Sequence, residues 1–313
     1  MGGDPATERR DEATPAISGS SRPDEDGLLD FLCLILWVQS THYTVLRTLT
    51  DGIIGYARID GHFVVLKAFF DDSGTHLESD VAVMAGLIAP EDEWATLETE
   101  WRITLDDLGI RKMHMASCEN ARRDFAGWDR DRRDRAIARF CGIILKRNAC
   151  MLISAVSRST WNAVAPYTLL GKRFAQPIDY CFNACMRYAM QTIRGSVGRE
   201  PVAITFDGRE ESLGYWQRLA SAYEKVWPER VAGFAFGSME KVLPLPAADM
   251  IAYEAFVFEC ARGRQEKEPT PRPNFSKLVS ALQFKGGFAT EEILHEYAEH
   301  LASLAARRAS SAT

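Results

Sequence analysis

Along the chain, short runs of consecutive apolar residues alternate with longer stretches in which apolar positions return every three or four residues. Val64–Phe70 is apolar at every position but Lys67, and Val81–Ala89 is a second apolar run that stops at Pro90. Runs of this length bounded by turn residues read as buried strands. The Asp-Asp-Ser-Gly segment between them is turn chemistry, so the spacing predicts a hairpin of strand Phe63–Phe70 with strand Val81–Ala89. Pro90–Leu108 then shows Trp94, Leu97, Trp101 and Leu105 at helical spacing, with Glu91 and Glu93 in the first turn, where the helix dipole favours acids. Further helices are predicted over Asp129–Lys146, Ile178–Ile193, Ser212–Trp227, Pro246–Arg262 and Glu291–Arg307. Further strands are predicted over Cys150–Val156, Pro201–Phe206 and Ala232–Gly237, with 263–275 as a loop. Strands that come early and then alternate with helices predict an α/β fold with a mixed sheet.

The front of the chain has a different texture. Residues 1–27 are rich in Asp, Glu, Arg, Pro, Ser and Gly and hold almost nothing to bury, which predicts disorder. Leu28–Val38 is apolar, yet a bilayer needs about 20 such residues, so a packing helix is expected there rather than a span. Residues 1–60 are therefore an extension, and the folded domain is expected over 61–313.

The chain has 313 residues, 46% of them hydrophobic and 26% charged, with a net charge of -6. That balance argues against binding nucleic acid through a global basic field, though not against local contacts. Its seven cysteines form no CxxC pair and no zinc-ligand spacing, which fits a reducing, cytoplasmic setting. Cys181 and Cys185, one helical turn apart, are expected on a buried helix face. There is no Walker lysine motif, no GxGxxG and no GxSxG, so nucleotide hydrolases and serine hydrolases of those types are disfavoured.

The candidate chemistry is acidic. Asp71 and Asp72 end the first strand, Asp207 ends the strand Ala203–Phe206, and Asp249 lies early in a helix among Ala247, Ala248, Met250 and Ile251. Carboxylates at the ends of buried strands are costly unless a cation offsets them. Three such positions, far apart in sequence, are the parts of a divalent-metal site. Taken singly, Asp71, Asp72 and Asp207 also fit plain turns, and Asp249 fits a helix cap. Supporting candidates are Ser73, His114, Glu254 and Lys241. Glu254, five residues after Asp249, lies about 140° around the helix from it and need not share its face. The arginines between Arg122 and Arg135, interspersed with aspartates, read as a solvated, salt-bridged helix face. Lys241, Arg262, Arg264, Lys267, Arg272, Lys277 and Lys285 are a sparser basic set that either lies near a phosphate backbone or is solvated surface.

Taken in order, Phe69-Phe70-Asp71-Asp72-Ser73-Gly74, Val83–Ile88, Met113-His114-Met115-Ala116-Ser117, Ile204-Thr205-Phe206-Asp207 and Leu243–Glu254 resemble the family called domain of unknown function 3800. The resemblance covers about residues 63–260. It implies a ribonuclease H-like fold in which Asp71, Asp207 and Asp249 are the catalytic carboxylates, holding Mg2+ or Mn2+ together with Asp72. Two positions differ from the family pattern: Asp72 stands where glutamate is usual, and Lys112 stands where an acid is usual, with Glu119 or Glu78 as candidate replacements. The implied activity is divalent-metal-dependent hydrolysis of nucleic-acid phosphodiester bonds. The alternative is a non-catalytic ribonuclease H-like module that binds nucleic acid or protein. A two-carboxylate glycoside hydrolase is weaker, because no aromatic sugar platform accompanies the acids.

Overall fold

Alternation of side chains along β1, Leu66–Ser73, sets the plan of the molecule. Leu66, Ala68 and Phe70 enter one hydrophobic core, and Phe69 enters another on the opposite face of the sheet. The computed structural model describes residues 66–76, 79–174, 176–194, 201–208, 217, 220, 221, 223–225, 227, 229–264 and 269–311. The expected extension 1–60 and most of the expected helix Ser212–Trp227 lie outside the described residues.

β1 pairs antiparallel with β2, Val81–Pro90, and β2 antiparallel with β3, Cys150–Ser157. On the other side β1 pairs parallel with β4, Val202–Asp207, and β4 with β5, Val231–Gly237. The sheet order is β5-β4-β1-β2-β3-β6, where β6, Gln283–Ala289, runs parallel to β3. Five strands thus run in one direction and β2 alone runs against them. The C-terminal ends of β1, β3, β4, β5 and β6 share one rim. β2 and β3 sit in the middle of the sheet and are buried along nearly their whole length, which is why they read as unbroken apolar runs.

Helices cover both faces. On one side lie α1 (Glu91–Leu108), α2 (Met115–Glu119), α3 (Arg130–Leu145), α7 (Leu245–Arg264) and α8 (Pro273–Ala281). On the other lie α4 (Arg158–Val164), α5 (Leu169–Arg173), α6 (Pro177–Arg194) and α9 (Glu291–Ser311). This is the α/β layout expected from the sequence, a mixed sheet flanked by helices. Cys181 and Cys185 face the sheet, where their thiols donate to Ala82 O and Met84 O. The described cysteines are all free thiols.

Two expectations need correction. The stretch 263–275 is not one loop: α7 runs on to Arg264, and α8 begins at Pro273, where proline suits the first helical turn. β6 was not expected at all. Its Gln-Phe-Lys-Gly-Gly-Phe-Ala sequence lacks an apolar run because it is an edge strand, half-buried along most of its length. Among the described residues, no helix is long and apolar enough to cross a membrane.

A carboxylate cluster at the sheet rim

The in-phase parallel register of β1 and β4 builds the first part of the site. Phe70 is opposite Phe206, so Asp71 and Asp207, the next residue on each strand, are neighbours. Phe70 and Phe206 both point into one core, and their rings stack at 5.3 Å. By alternation Asp71 and Asp207 both point to the other face, with adjacent strands only about 4.8 Å apart. That face is covered by α7, which packs across β1 and β2. Small residues, Ala247, Ala248 and Ala252, let α7 approach closely, and all three are fully buried. Asp249 therefore descends toward Asp71 from above the sheet.

The electrostatics register this convergence. Asp71 is 2% exposed. Its carboxyl is pushed well above the ordinary range by burial first, then by the negative charges of Asp249, Asp72 and Asp207. The backbone N–H of Asp72 donates to Asp71 Oδ1 at 2.7 Å and acts the opposite way, favouring the charged form. Asp249, Asp72 and Asp207 are thus each within electrostatic reach of Asp71. Asp72 belongs to the opposite face by alternation. Its Oδ2 accepts the Thr75 hydroxyl at 2.9 Å, within the turn that follows β1.

Gly74 makes that turn. Its φ of +71° is in the left-handed region, and a Cβ there would stand 2.0 Å from Val81 O and 2.8 Å from the Phe256 ring of α7. The turn, β2 and α7 therefore meet at a point that no larger residue fits. Ser73 is half-buried and pairs with Val83.

Asp249 is anchored from a different element. Its Oδ2 accepts the backbone N–H of Met115 at 2.7 Å. Met115 opens α2, whose cap is His114: the ring Nδ1 accepts from Ser117 N at 3.3 Å and lies 2.8 Å from Ser117 Oγ. The structure places His114 as a cap beside the cluster, with its Nδ1 turned back to its own helix.

Lys112 forms an ion pair with Glu240 at 3.0 Å. Lys241 is exposed, and its N–H closes a turn onto Ser238 O. Glu254 is 1% exposed and takes two hydrogen bonds from Arg272, at 2.9 and 2.5 Å. Arg272 also pairs with Glu119 at 2.6 Å. Glu119 therefore faces an arginine, while Glu78 lies outside the described residues. No motif marks this Glu254–Arg272–Glu119 bridge, because the two glutamates are 18 and 153 residues from Arg272 in the chain. Arg262 is similarly held by the buried Glu259, through two bonds of 2.6 Å. The sparse basic set is accordingly not a phosphate track at Arg262 or Arg272.

The donor chemistry fits a hard divalent cation: carboxylate oxygens, no thiolate, and one buried acid whose strongest charged neighbours are all negative. Among the described residues, no group of three or more His, Cys, Asp or Glu side chains is placed to hold one metal ion. The acids meet as an open cluster, with part of the acceptor capacity of Asp71 and Asp249 taken by backbone N–H groups.

No known family's model matches the chain, and no curated protein matches it. Among solved structures, ribonuclease HII of Archaeoglobus fulgidus, in its complex with PCNA, is 18% identical. The match covers 69% of this chain and 87% of that one, with a TM-score of 0.37. Bst ribonuclease HIII in complex with Mn2+ is 15% identical over 78% of this chain and 71% of that one, with a TM-score of 0.36. Likeness this distant adds no weight to what the residues themselves say.

Proposed function

We propose that this protein hydrolyses phosphodiester bonds in nucleic acid, using a divalent cation held by Asp71, Asp207 and Asp249 with Asp72 close by. The observation that carries the reading is the state of Asp71: a buried carboxylate pressed upward in pKa by three other carboxylates brought from distant parts of the chain. Like charges are rarely concentrated in a dry site without a compensating partner. A cation such as Mg2+ or Mn2+, when bound, would supply that compensation, polarise a phosphoryl oxygen and lower the pKa of a bound water. The role left to the protein is positioning. The paired strands fix Asp71 and Asp207, Met115 N–H orients Asp249, and the Gly74 turn closes β1 tightly against α7. The motif resemblance to domain of unknown function 3800 supports the same reading.

Labelled RNA, DNA and hybrid substrates, incubated with Mn2+ or EDTA, test it. Cleavage by the wild-type protein in Mn2+, lost in EDTA and in Asp71→Asn and Asp207→Asn, is the expected result. Wild-type rates in either variant would end the assignment.

A second reading is favoured by Lys112, which occupies the position of a usual family acid and pairs with Glu240. In that reading the domain binds nucleic acid or protein without cutting. Metal titration separates the two, because only a metal-binding cluster gains thermal stability from Mn2+.

A further inference from the structure

Between α2 and α3 the chain turns sharply and carries two exposed arginines, Arg122 and Arg123. Ala121 has φ +48° and Arg123 φ +56°, both left-handed and neither a glycine. Such backbone costs about 1–2 kcal/mol per residue and persists only where surrounding contacts enforce it. Here the contacts are clear. Arg122 N–H donates to Ser117 O at 2.8 Å, and Arg133 Nη1 reaches back from α3 to Cys118 O at 3.1 Å and to Glu119 O. The result is a fixed loop that presents Arg122 and Arg123 to solvent.

The acids around this loop are already committed. Asp124 accepts both the backbone N–H and the guanidinium of Arg111. Glu119 pairs with Arg272, Asp129 caps α3, and Asp134 pairs with Arg130. Among the described residues, Arg122 and Arg123 form no ion pair. On α3 itself Arg130 pairs with Asp134 and Arg139 with Asp107, so a salt-bridged face describes part of that helix.

The loop is connected to the carboxylate cluster through Glu240 and Lys112. Arg111, Arg123 and Lys112 all act on Glu240, in the turn that follows β5, and hold its carboxyl below the usual range, the Lys112 hydrogen bond acting most strongly. Lys112 is three residues before Met115, whose N–H holds Asp249. A local cationic border thus adjoins an acidic cluster in a chain whose net charge is -6.

Resting on the nuclease reading above, we infer that Arg122 and Arg123 are the contact for the sugar-phosphate backbone of the nucleic-acid strand at this site. Their two guanidiniums, held on a rigid turn, take the phosphates flanking the position that the carboxylates address. Arginine suits this role because its fixed fork of donors matches phosphate oxygens. Contacts of this kind position a strand without reading its sequence.

The test is equilibrium binding of fluorescently labelled single-stranded DNA and RNA 20-mers to the full chain in EDTA, so that no cleavage is needed. The variants are Arg122→Glu/Arg123→Glu, Arg122→Lys/Arg123→Lys, and a control with the same charge change elsewhere on the surface, Arg102→Glu/Arg135→Glu. Loss of two phosphate contacts should weaken binding about 10-fold or more, and flatten the dependence of log K on log salt by about 1.4, at ~0.7 per contact for single strands. The control should stay within about 2-fold, and the lysine pair should bind more tightly than the glutamate pair. Equal losses in the glutamate pair and the control, no loss in the glutamate pair, or no binding by the wild-type protein would overturn the inference. Arginine-dependent binding by a protein that fails to cleave in Mn2+ would instead overturn hydrolysis and leave this contact standing.

Discussion

Asp249 Oδ2 accepts the Met115 N–H at 2.7 Å, so the helix that closes the cluster and the short helix α2 are joined at the carboxylate itself. The same two elements are joined again at their far side, where Arg272 bridges Glu254 of α7 and Glu119 of α2. One acid of the cluster is therefore oriented from two directions, by a peptide group and by a buried ion-pair bridge.

Removing the central negative charge should stabilise the protein when no metal is present. Asp71→Asn relieves repulsion from Asp249, Asp72 and Asp207 in a buried setting. We expect its melting temperature in EDTA to exceed that of the wild type by a few degrees, since ~1 kcal/mol moves a domain of this size by about 2–4 °C. Adding Mn2+ should raise the wild-type midpoint and leave that of the variant nearly unmoved. Differential scanning fluorimetry reads both, and a less stable Asp71→Asn protein in EDTA would contradict the electrostatic account.

The Arg272 bridge should behave as a buried ion pair does. Arg272→Ala leaves Glu254 (1% exposed) and the half-buried Glu119 without their shared cation, at a cost of about 3–5 kcal/mol. Replacing partners together, as Arg272→Met with Glu254→Leu, should recover much of that loss. Urea unfolding of the two variants provides the comparison. A loss in the double variant as large as in Arg272→Ala would show that the charges themselves stabilise the fold.

At the strand end, Gly74→Ala faces both a left-handed backbone and a Cβ placed 2.0 Å from Val81 O. The backbone penalty alone is about 1–2 kcal/mol, and the overlap adds to it. Because the displaced turn follows Asp72 directly, cleavage should fall along with stability. Gly109→Ala is the comparison: φ there is +67°, but nothing lies within 4 Å of the added carbon. It should cost the backbone penalty alone and leave cleavage unchanged.

Glu100 gives a pH-dependent term far from the site. The Lys146 ammonium, bonded to it at 2.8 Å, and Arg147 hold its carboxyl below the ordinary value, against a smaller effect of burial. A depressed carboxylate contributes stability above its unfolded pKa of about 4.3, and that contribution is lost as pH falls through the folded value. Glu100→Gln should therefore cost a little at pH 7, less than about 1 kcal/mol for a partly exposed pair, and less still at pH 3. Denaturant midpoints at the two pH values decide it.

How much of this was legible beforehand depends on what kind of interaction made each part. β2 and β3 announce themselves because a strand buried on both faces needs apolar residues without interruption. α1 is equally plain, since Trp94, Leu97, Trp101 and Leu105 mark its buried stripe. β6 has no such signature: an edge strand needs only a few apolar contacts, and Gly286 and Gly287 look like a break. Strand ends and motif order point to a convergence of Asp71, Asp207 and Asp249, yet that convergence depends on a register that sequence does not display. The grip of Met115 on Asp249 was beyond reach, because a backbone N–H belongs to every residue but proline and leaves no trace in the letters.

The matched phase of Phe70 and Phe206 bears on how this protein tolerates changes in length. Deleting or inserting one residue upstream within β1 or β4 would preserve the strand and much of its pairing, yet turn one aspartate to the opposite side of the sheet. A change of two residues would return it to the right side but displace it along the rim. Loops on this scaffold are free to vary in length, whereas these two strands must keep their count.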